Sequence, residues 1–240
     1  MLIFGLEKLS LIDYPGKLAC TIFLFGCNFK CPFCHNPELV IAETSIKQNN
    51  LSEEKILSFL KERRKYLDGV CITGGEPLIS QELEIINFLK KIKALDYKIK
   101  LDTNGANPEL LKKLIQANLV DYIAMDIKSD KDNYDLASGT SADIKKIEES
   151  IKLIANSNLD YEFRTTLVPT LHDNKIVENI SNWLNQVTAG KIKKYILQKF
   201  IPRENKIIES RFEKIQPFSD KEMNEFKEIA DKFVKTDLRI

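Results

Sequence analysis

Short apolar runs alternate with longer amphipathic stretches along this chain, and that alternation predicts its architecture. Runs of strand length lie at Leu18 to Phe25, Gly69 to Thr73, Tyr97 to Asp102, Asp121 to Ile127, Tyr161 to Val168 and Lys194 to Gln198. Apolar residues recur at helical spacing over Glu53 to Tyr66, Gln81 to Leu95, Pro108 to Ala117, Asp143 to Asn156, Asn174 to Gln186 and Asp220 to Val234. Start signals support these helices. Asn107 precedes a proline at the first helical position, Ser219 with Glu222 makes a capping box, and Ser52 and Ser80 stand where N-caps belong. Strands joined through helices run parallel with right-handed crossovers, so six such units predict an α/β fold, an open, partial (βα)6 TIM-like barrel. No repeat beyond the βα period and no linker is visible, which predicts one domain over residues 1–240. Lys199 to Pro217 reads as an irregular connection to the terminal helix.

Composition narrows the function classes. With 43% hydrophobic residues in 240, the chain can bury a large core, and 36 basic against 35 acidic residues leave a net charge of +1. That balance argues against nucleic acid or an anionic membrane as a partner. The longest nearly apolar run, Leu18 to Phe25, falls far short of the ~20 residues of a spanning helix. Met1 to Lys8 lacks the basic and apolar segments of a secretory signal, so a cytoplasmic protein is expected. The five cysteines are Cys20, Cys27, Cys31, Cys34 and Cys71, with three crowded between positions 27 and 34. An odd number so spaced favours a metal or redox site over disulfides.

In sheets of this class the chemistry sits at the C-terminal ends of the strands, and the sequence is loaded there. The first predicted strand is followed by Cys27, Cys31 and Cys34, and the second by Gly74-Gly75-Glu76-Pro77. The third ends in Asp102-Thr103-Asn104-Gly105 and the fourth in Met125-Asp126-Ile127-Lys128. The cysteine loop, residues 26–36, has four readings. Cys31-Pro32-Phe33-Cys34 is a redox dithiol motif, although it leaves Cys27 idle. Cys31-x-x-Cys34-His35 fits covalent haem attachment. Structural zinc would need His35 or a remote fourth ligand. An iron-sulfur cluster on three thiolates would leave one iron open for reaction.

The spacing Cys27-x3-Cys31-x2-Cys34 resembles the defining motif of the radical S-adenosylmethionine (SAM) superfamily, and the other strand-end motifs match over nearly the whole chain. That resemblance implies a [4Fe–4S] cluster on Cys27, Cys31 and Cys34, with SAM bound at the open iron. Phe33 takes the place of the aromatic that packs near the adenine, and His35 contributes backbone to the nucleoside. Gly74-Gly75-Glu76 resembles the motif holding the methionyl amino group, the glycines letting backbone approach the ligand. Asp102, Asp126 and Lys128 correspond to residues around the methionyl end in glycyl-radical-enzyme activases, in some members with a monovalent cation. Phe4 to Gly16 and Gly26-Cys27-Asn28-Phe29 resemble the short activating proteins of anaerobic ribonucleoside-triphosphate reductase.

The implied activity is reductive cleavage of SAM to a 5'-deoxyadenosyl radical that takes an α hydrogen from a glycine of a partner glycyl-radical enzyme. A flavodoxin or ferredoxin would be the electron donor. One departure stands out. Related activases carry a histidine near the end of the sixth strand, where this chain has Gln198, Lys199, Phe200 and Ile201. A radical SAM enzyme acting on a small molecule or peptide, and a structural metal or electron-transfer module, remain alternatives. After Cys34 only Cys71 is left, which excludes auxiliary clusters.

Other residues have plainer readings. Arg164 either lines the cavity or satisfies a sheet end, and His172 reads as a turn or surface histidine. Cys20 and Cys71, inside strands, read as small buried hydrophobes. Phe23, Phe25 and Trp183 read as core, and the lysine runs at 61–65 and 191–194 as solvated faces.

Overall fold

A computed structural model describes residues 1–40, 51–204 and 206–240. Asn205, inside the expected connection from Lys199 to Pro217, lies outside the described residues. The strands are β1 (Ile3–Ser10), β2 (Ala19–Leu24), β3 (Gly69–Gly74), β4 (Lys98–Thr103), β5 (Tyr122–Asp126), β6 (Asp160–Leu167), β7 (Tyr195–Lys199) and β8 (Thr236–Arg239). The helices are α1 (Glu53–Arg63), α2 (Glu82–Lys93), α3 (Pro108–Gln116), α4 (Tyr134–Ser138), α5 (Ile144–Ala155), α6 (Asn174–Thr188) and α7 (Asp220–Asp231).

All six predicted strands form, as β2 to β7, and so do all six predicted helices. Three elements escape the periodicity for physical reasons. The β1 residues pair antiparallel with β2, and exposed Glu7, Lys8 and Leu9 blur the alternation. With five residues, α4 is too short for a 3.6-residue period to register. The four residues of β8 are mostly exposed and take their structure from pairing with β7.

Strand order follows the sequence from β1 to β8, giving an α/β fold with an open parallel sheet. Parallel registers run from Ala19↔Gly69 to Leu24↔Gly74, from Gly69↔Lys98 to Ile72↔Leu101, and from Phe163↔Tyr195 to Leu167↔Lys199. By contacts the chain divides into two compact units. One holds Met1–Asn28, Glu38–Thr103 and Glu109–Ile123, and the other holds Phe29–Pro37, Asn104–Pro108 and Ala124–Ile240.

In the first unit the core combines Ile22, Leu24, Val70, Ile72, Ile99 and Leu101 from the strands with Leu60, Phe88 and Ile92 from the helices, all buried. Tyr97, also buried, donates its hydroxyl to the Leu60 carbonyl at 2.7 Å, tying α1 to the start of β4. The second unit buries Phe163, Leu167 and Leu197 together with Ile151, Val177, Leu184 and Met223. Trp183 is core, as expected, whereas Phe23 and Phe25 are half-buried. Phe23 faces Gly5 of the edge strand β1, which has no side chain to cover it, and Phe25 follows the end of β2.

Caps largely follow the sequence. Ser52 accepts from the Lys55 N–H at 3.3 Å, and Ser219 and Glu222 close both bonds of a capping box. Ser80 is a correction. It ends the 3₁₀ turn Pro77–Ile79, and Gln81 stands at the N-cap of α2 without a side-chain cap bond.

Candidate functional site

In the first unit, the chain leaving β2 toward Cys27 is held by the loop after β3. Gly75 donates its N–H to the Leu24 carbonyl at 2.9 Å, and Glu76 donates to the Gly26 carbonyl at 2.8 Å. A Cβ at Gly75 would lie 1.9 Å from the Gly26 oxygen. Gly74 adopts φ +120°, and a Cβ there would lie 2.2 Å from the Leu24 oxygen. The sequence reading needs a refinement here. The close approach these glycines permit is to the protein's own backbone, and it fixes the path into the first cysteine.

Glu76, 3% exposed, accepts from the Thr103 hydroxyl at 2.8 Å and from the Leu78 N–H at 3.0 Å. Its carboxylate thus caps the turn Pro77–Ile79 and ties β3 to the end of β4. Asp102 is ion-paired with Lys100 on the same face of β4. Sequence reasoning missed both Thr103 and Lys100, although the two-residue period of a strand already placed Lys100 beside Asp102.

In the second unit, the segment with Cys31 and Cys34 is pinned at two points. Lys30 donates its N–H to the Ser138 carbonyl at 2.9 Å, and the Glu209 N–H reaches the Pro32 carbonyl at 2.9 Å. Gly139, at φ +68°, ends α4 so tightly that a Cβ would lie 2.0 Å from the Lys30 oxygen. Cys31 and Cys34 are joined through a turn, with the Cys34 N–H on the Cys31 carbonyl at 2.9 Å. Burial pushes the Cys31 thiol up, and the Lys128 ammonium opposes that rise. None of the five cysteines is in a disulfide. Among the described residues, no three His, Cys, Asp or Glu side chains converge as they would on a single ion.

Phe33 is buried edge-on to Phe200 and Phe212, with centroids 6.1 and 6.5 Å apart. His35 stacks on Phe200 at 5.2 Å and 15°. Phe200, one of the four residues read as replacing the expected histidine, thus packs against the histidine of the cysteine loop. The His35 Nε2 is buried with no hydrogen-bond partner. Burial, with the charge of Arg203, lowers the pKa of this ring.

At the end of β5, Asp126 is gripped by two cations, with Lys128 Nζ at 3.0 Å and Arg164 Nε at 2.8 Å. Burial works to raise the Asp126 pKa, but the Arg164 guanidinium and the Lys128 ammonium overcome it and hold the carboxyl well below the usual range. For Lys128, burial is outweighed by Asp126 and Cys31, so its ammonium is held charged. Arg164, read from the sequence as lining the cavity or satisfying a sheet end, is ion-paired with Asp126 at the end of β5. Arg164 also lies 3.9 Å from the buried Glu162 carboxylate, so Lys128 and Arg164 face two carboxylates between them.

His172 lies at a turn, as one of its two readings has it, its backbone N–H on the Val168 carbonyl at 3.0 Å, but the surface reading is corrected. It is buried at 4% exposure, not on the surface. Its Nδ1 accepts the Val168 N–H at 3.1 Å, which assigns the proton to Nε2, 2.9 Å from the Lys128 carbonyl. The turn after β6 folds the ring back onto the Val168 and Lys128 backbone. The ring therefore steadies the backbone of Lys128 in its neutral form. Burial lowers its pKa from 6.5, so the unfolded chain binds the proton more readily than the folded one. Stability is complete above the unfolded-state value of 6.5 and is lost as pH falls from there toward the folded value. Denaturant titrations from pH 7.5 to 5.5 are expected to reveal this loss, bounded by about 1.4 kcal/mol per pH unit for each such ring. His172→Gln is expected to flatten the slope, leaving the share of His35.

Comparison with known proteins fits this arrangement. The family model described as the radical SAM superfamily matches residues 21–181, from within β2 to within α6. The chain belongs to the radical SAM superfamily. MJ1227 of Methanocaldococcus jannaschii, named as a glycyl-radical enzyme activating enzyme, is 32% identical over 97% of this chain and 93% of its own. The pyruvate formate-lyase-activating enzyme of Clostridium pasteurianum is 29% identical over 76% of this chain and 74% of its own. These relatives make the chain a radical SAM oxidoreductase of the activating-enzyme type. In structure it is similar to SuiB of Streptococcus suis bound to S-adenosylmethionine, with TM-score 0.64, 16% identity and 90% of this chain covered. The chain spans 48% of SuiB, and at that identity the likeness concerns the fold alone.

A radical SAM protein carries a [4Fe–4S] cluster and SAM, and the residues present fit both. The unbridged thiols supply soft sulfur donors, and the cation beside Cys31 offsets the negative charge of a thiolate-bound cluster. The unsatisfied His35 Nε2, on a ring stacked against Phe200, suits a nucleoside that brings its own polar edge. Among the described residues, no helix is long and apolar enough to cross a membrane.

Proposed function

We propose that this chain activates a glycyl-radical enzyme by removing an α hydrogen from one of its backbone glycines, with anaerobic ribonucleoside-triphosphate reductase as the partner. The observation that carries this reading is the alignment with the activating enzyme MJ1227 along 97% of the chain. The likeness of Phe4 to Gly16 to reductase-activating proteins favours that partner, and flavodoxin or ferredoxin is the proposed donor.

In this reading residues 1–240 act as one radical SAM domain, in which Cys27, Cys31 and Cys34 hold the cluster. Held there, the cluster would supply the one-electron reduction that cleaves SAM to methionine and a 5'-deoxyadenosyl radical. The remaining work is done by side chains and backbone. Gly74, Gly75 and Glu76 receive the methionyl amino group, and the Lys128 ammonium, held charged by Asp126, receives the methionyl carboxylate. Asp102 and Asp126 set the charge around the methionyl end. Phe33 and His35 hold the adenosine, their apolar surround excluding water from a radical that would otherwise be quenched. The hydrogen taken from glycine ends in 5'-deoxyadenosine, and no general base is required.

The test is anaerobic reconstitution with iron and sulfide, then reduction with SAM and the reductase. The expected result is a glycine-centred doublet in electron paramagnetic resonance with one 5'-deoxyadenosine per radical. SAM cleavage with no protein radical on the reductase would overturn the choice of partner.

A further inference from the structure

The interior of β4 contains a charge that the sheet does not need. Lys98–Thr103 alternates, with Ile99 and Leu101 on one face and Lys100 and Asp102 on the other. Lys100 is 1% exposed, as deeply buried as the neighbouring Ile99 and Leu101. An ammonium in that position is costly unless it is paired, and an apolar residue would fill the space without that cost. Its partners are specific. The Nζ is ion-paired with Asp102 Oδ1, lies 3.8 Å from Cys71 Sγ on β3, and sits 6.0 Å from the centre of the Tyr122 ring. The register Cys71↔Lys100 places that thiol across the strand gap, so the ammonium is held from two strands. The other Asp102 oxygen accepts from the Thr73 hydroxyl at 3.4 Å. Asp102 itself keeps 18% of its side chain exposed, leaving surface for a ligand.

We propose that Lys100 is a positioning residue for SAM binding, a resident cation that neutralises and orients the Asp102 carboxylate so that no alkali metal ion is needed there. The inference rests on the reading of Asp102 as a contact of the methionyl end. It deepens that reading, because a carboxylate with a fixed counter-charge presents the same geometry whatever salt is present. An exposed carboxylate would instead recruit a cation from solution, and affinity for SAM would follow the identity and concentration of that cation. Here the cation is covalently part of β4, two residues from its carboxylate, and shielded from exchange.

The test measures the SAM dissociation constant of the reconstituted holoenzyme by anaerobic calorimetry in sodium, potassium and choline chloride at one ionic strength. Wild-type affinity is expected to be the same in all three salts. Lys100→Met is expected to weaken binding at least about tenfold in choline chloride, the scale of a lost charge-assisted contact. Sodium or potassium should restore part of that loss by entering the vacated position, and Lys100→Arg should stay close to wild type. A merely structural role would not respond to the choice of salt.

A wild-type constant that shifts more than about fivefold between choline and potassium overturns the inference, as does Lys100→Met binding like wild type in every salt. The wild-type series decides the matter even if Lys100→Met fails to fold. Asp102→Asn separates the two layers. If it binds SAM normally, the reading of Asp102 falls and the inference with it. If it is impaired while Lys100→Met is not, only the role of Lys100 falls.

Discussion

Cys27→Ala is expected to abolish SAM cleavage as completely as Cys31→Ala or Cys34→Ala, and to lower iron and sulfide bound after reconstitution to background. The force of this prediction lies in which cysteine is chosen. In a redox dithiol or an attached haem, Cys31 and Cys34 do the chemistry and Cys27 is a bystander, so its loss would be silent. In a three-thiolate cluster each ligand holds a separate iron, and two thiolates leave a second iron unheld. Cys20→Ala is the matched control. The Cys20 thiol is buried in β2 and pushed up to about 12 by that burial, the behaviour of an inert packing group. Its replacement should cost about 1 kcal/mol of stability from lost packing and leave iron content unchanged. Iron analysis and the 5'-deoxyadenosine yield decide between the readings. Retention of cleavage by Cys27→Ala would remove the cluster assignment altogether.

Gly75→Ala is expected to cost at least about 3 kcal/mol and to displace the first cysteine. An added methyl would stand 1.9 Å from the Gly26 oxygen and 2.5 Å from its carbonyl carbon. Neither atom belongs to a side chain that can swing away. Relief requires breaking the Glu76-to-Gly26 bond or the Gly75-to-Leu24 bond, the two that bind the loop after β3 to the chain entering Cys27. For a chain of this size that cost corresponds to a fall of about 6–12 °C in Tm. Gly16→Ala provides the comparison. Gly16 has φ +69° with nothing within 4 Å of an added Cβ, so only the left-handed penalty of about 1 kcal/mol applies. A thermal scan of both variants, together with the iron content of each, checks the argument. Equal melting temperatures would mean that the backbone around Gly26 gives way easily.

Much of this protein is written locally. Six strands and six helices follow from the spacing of apolar residues, because burying one face of an element imposes its period on the sequence. The cysteine loop and the Gly-Gly-Glu, Asp-Thr-Asn-Gly and Met-Asp-Ile-Lys segments were legible for a related reason. Each lies within a few residues of a strand end, and a resemblance can be traced through neighbours in sequence. Even the Lys100 to Asp102 pair was within reach, two residues apart on one strand face.

What depends on distant pairing was not legible. Arg164 reaches Asp126 across 38 positions, His172 reaches the Lys128 carbonyl across 44, and both join only because the second unit packs β5 beside the segments after it. Phe200 meets His35 across a still longer separation, and the Gly75 backbone meets Gly26 through register between β2 and β3. The sequence by itself determined the order of elements, the cysteine spacing and the residue types at the strand ends, because short-range sterics and periodic burial leave their mark on neighbouring positions. The tertiary structure alone decided that Arg164 pairs with Asp126, that His172 is buried and what the glycines make room for. Those choices depend on distances between side chains that only packing brings together.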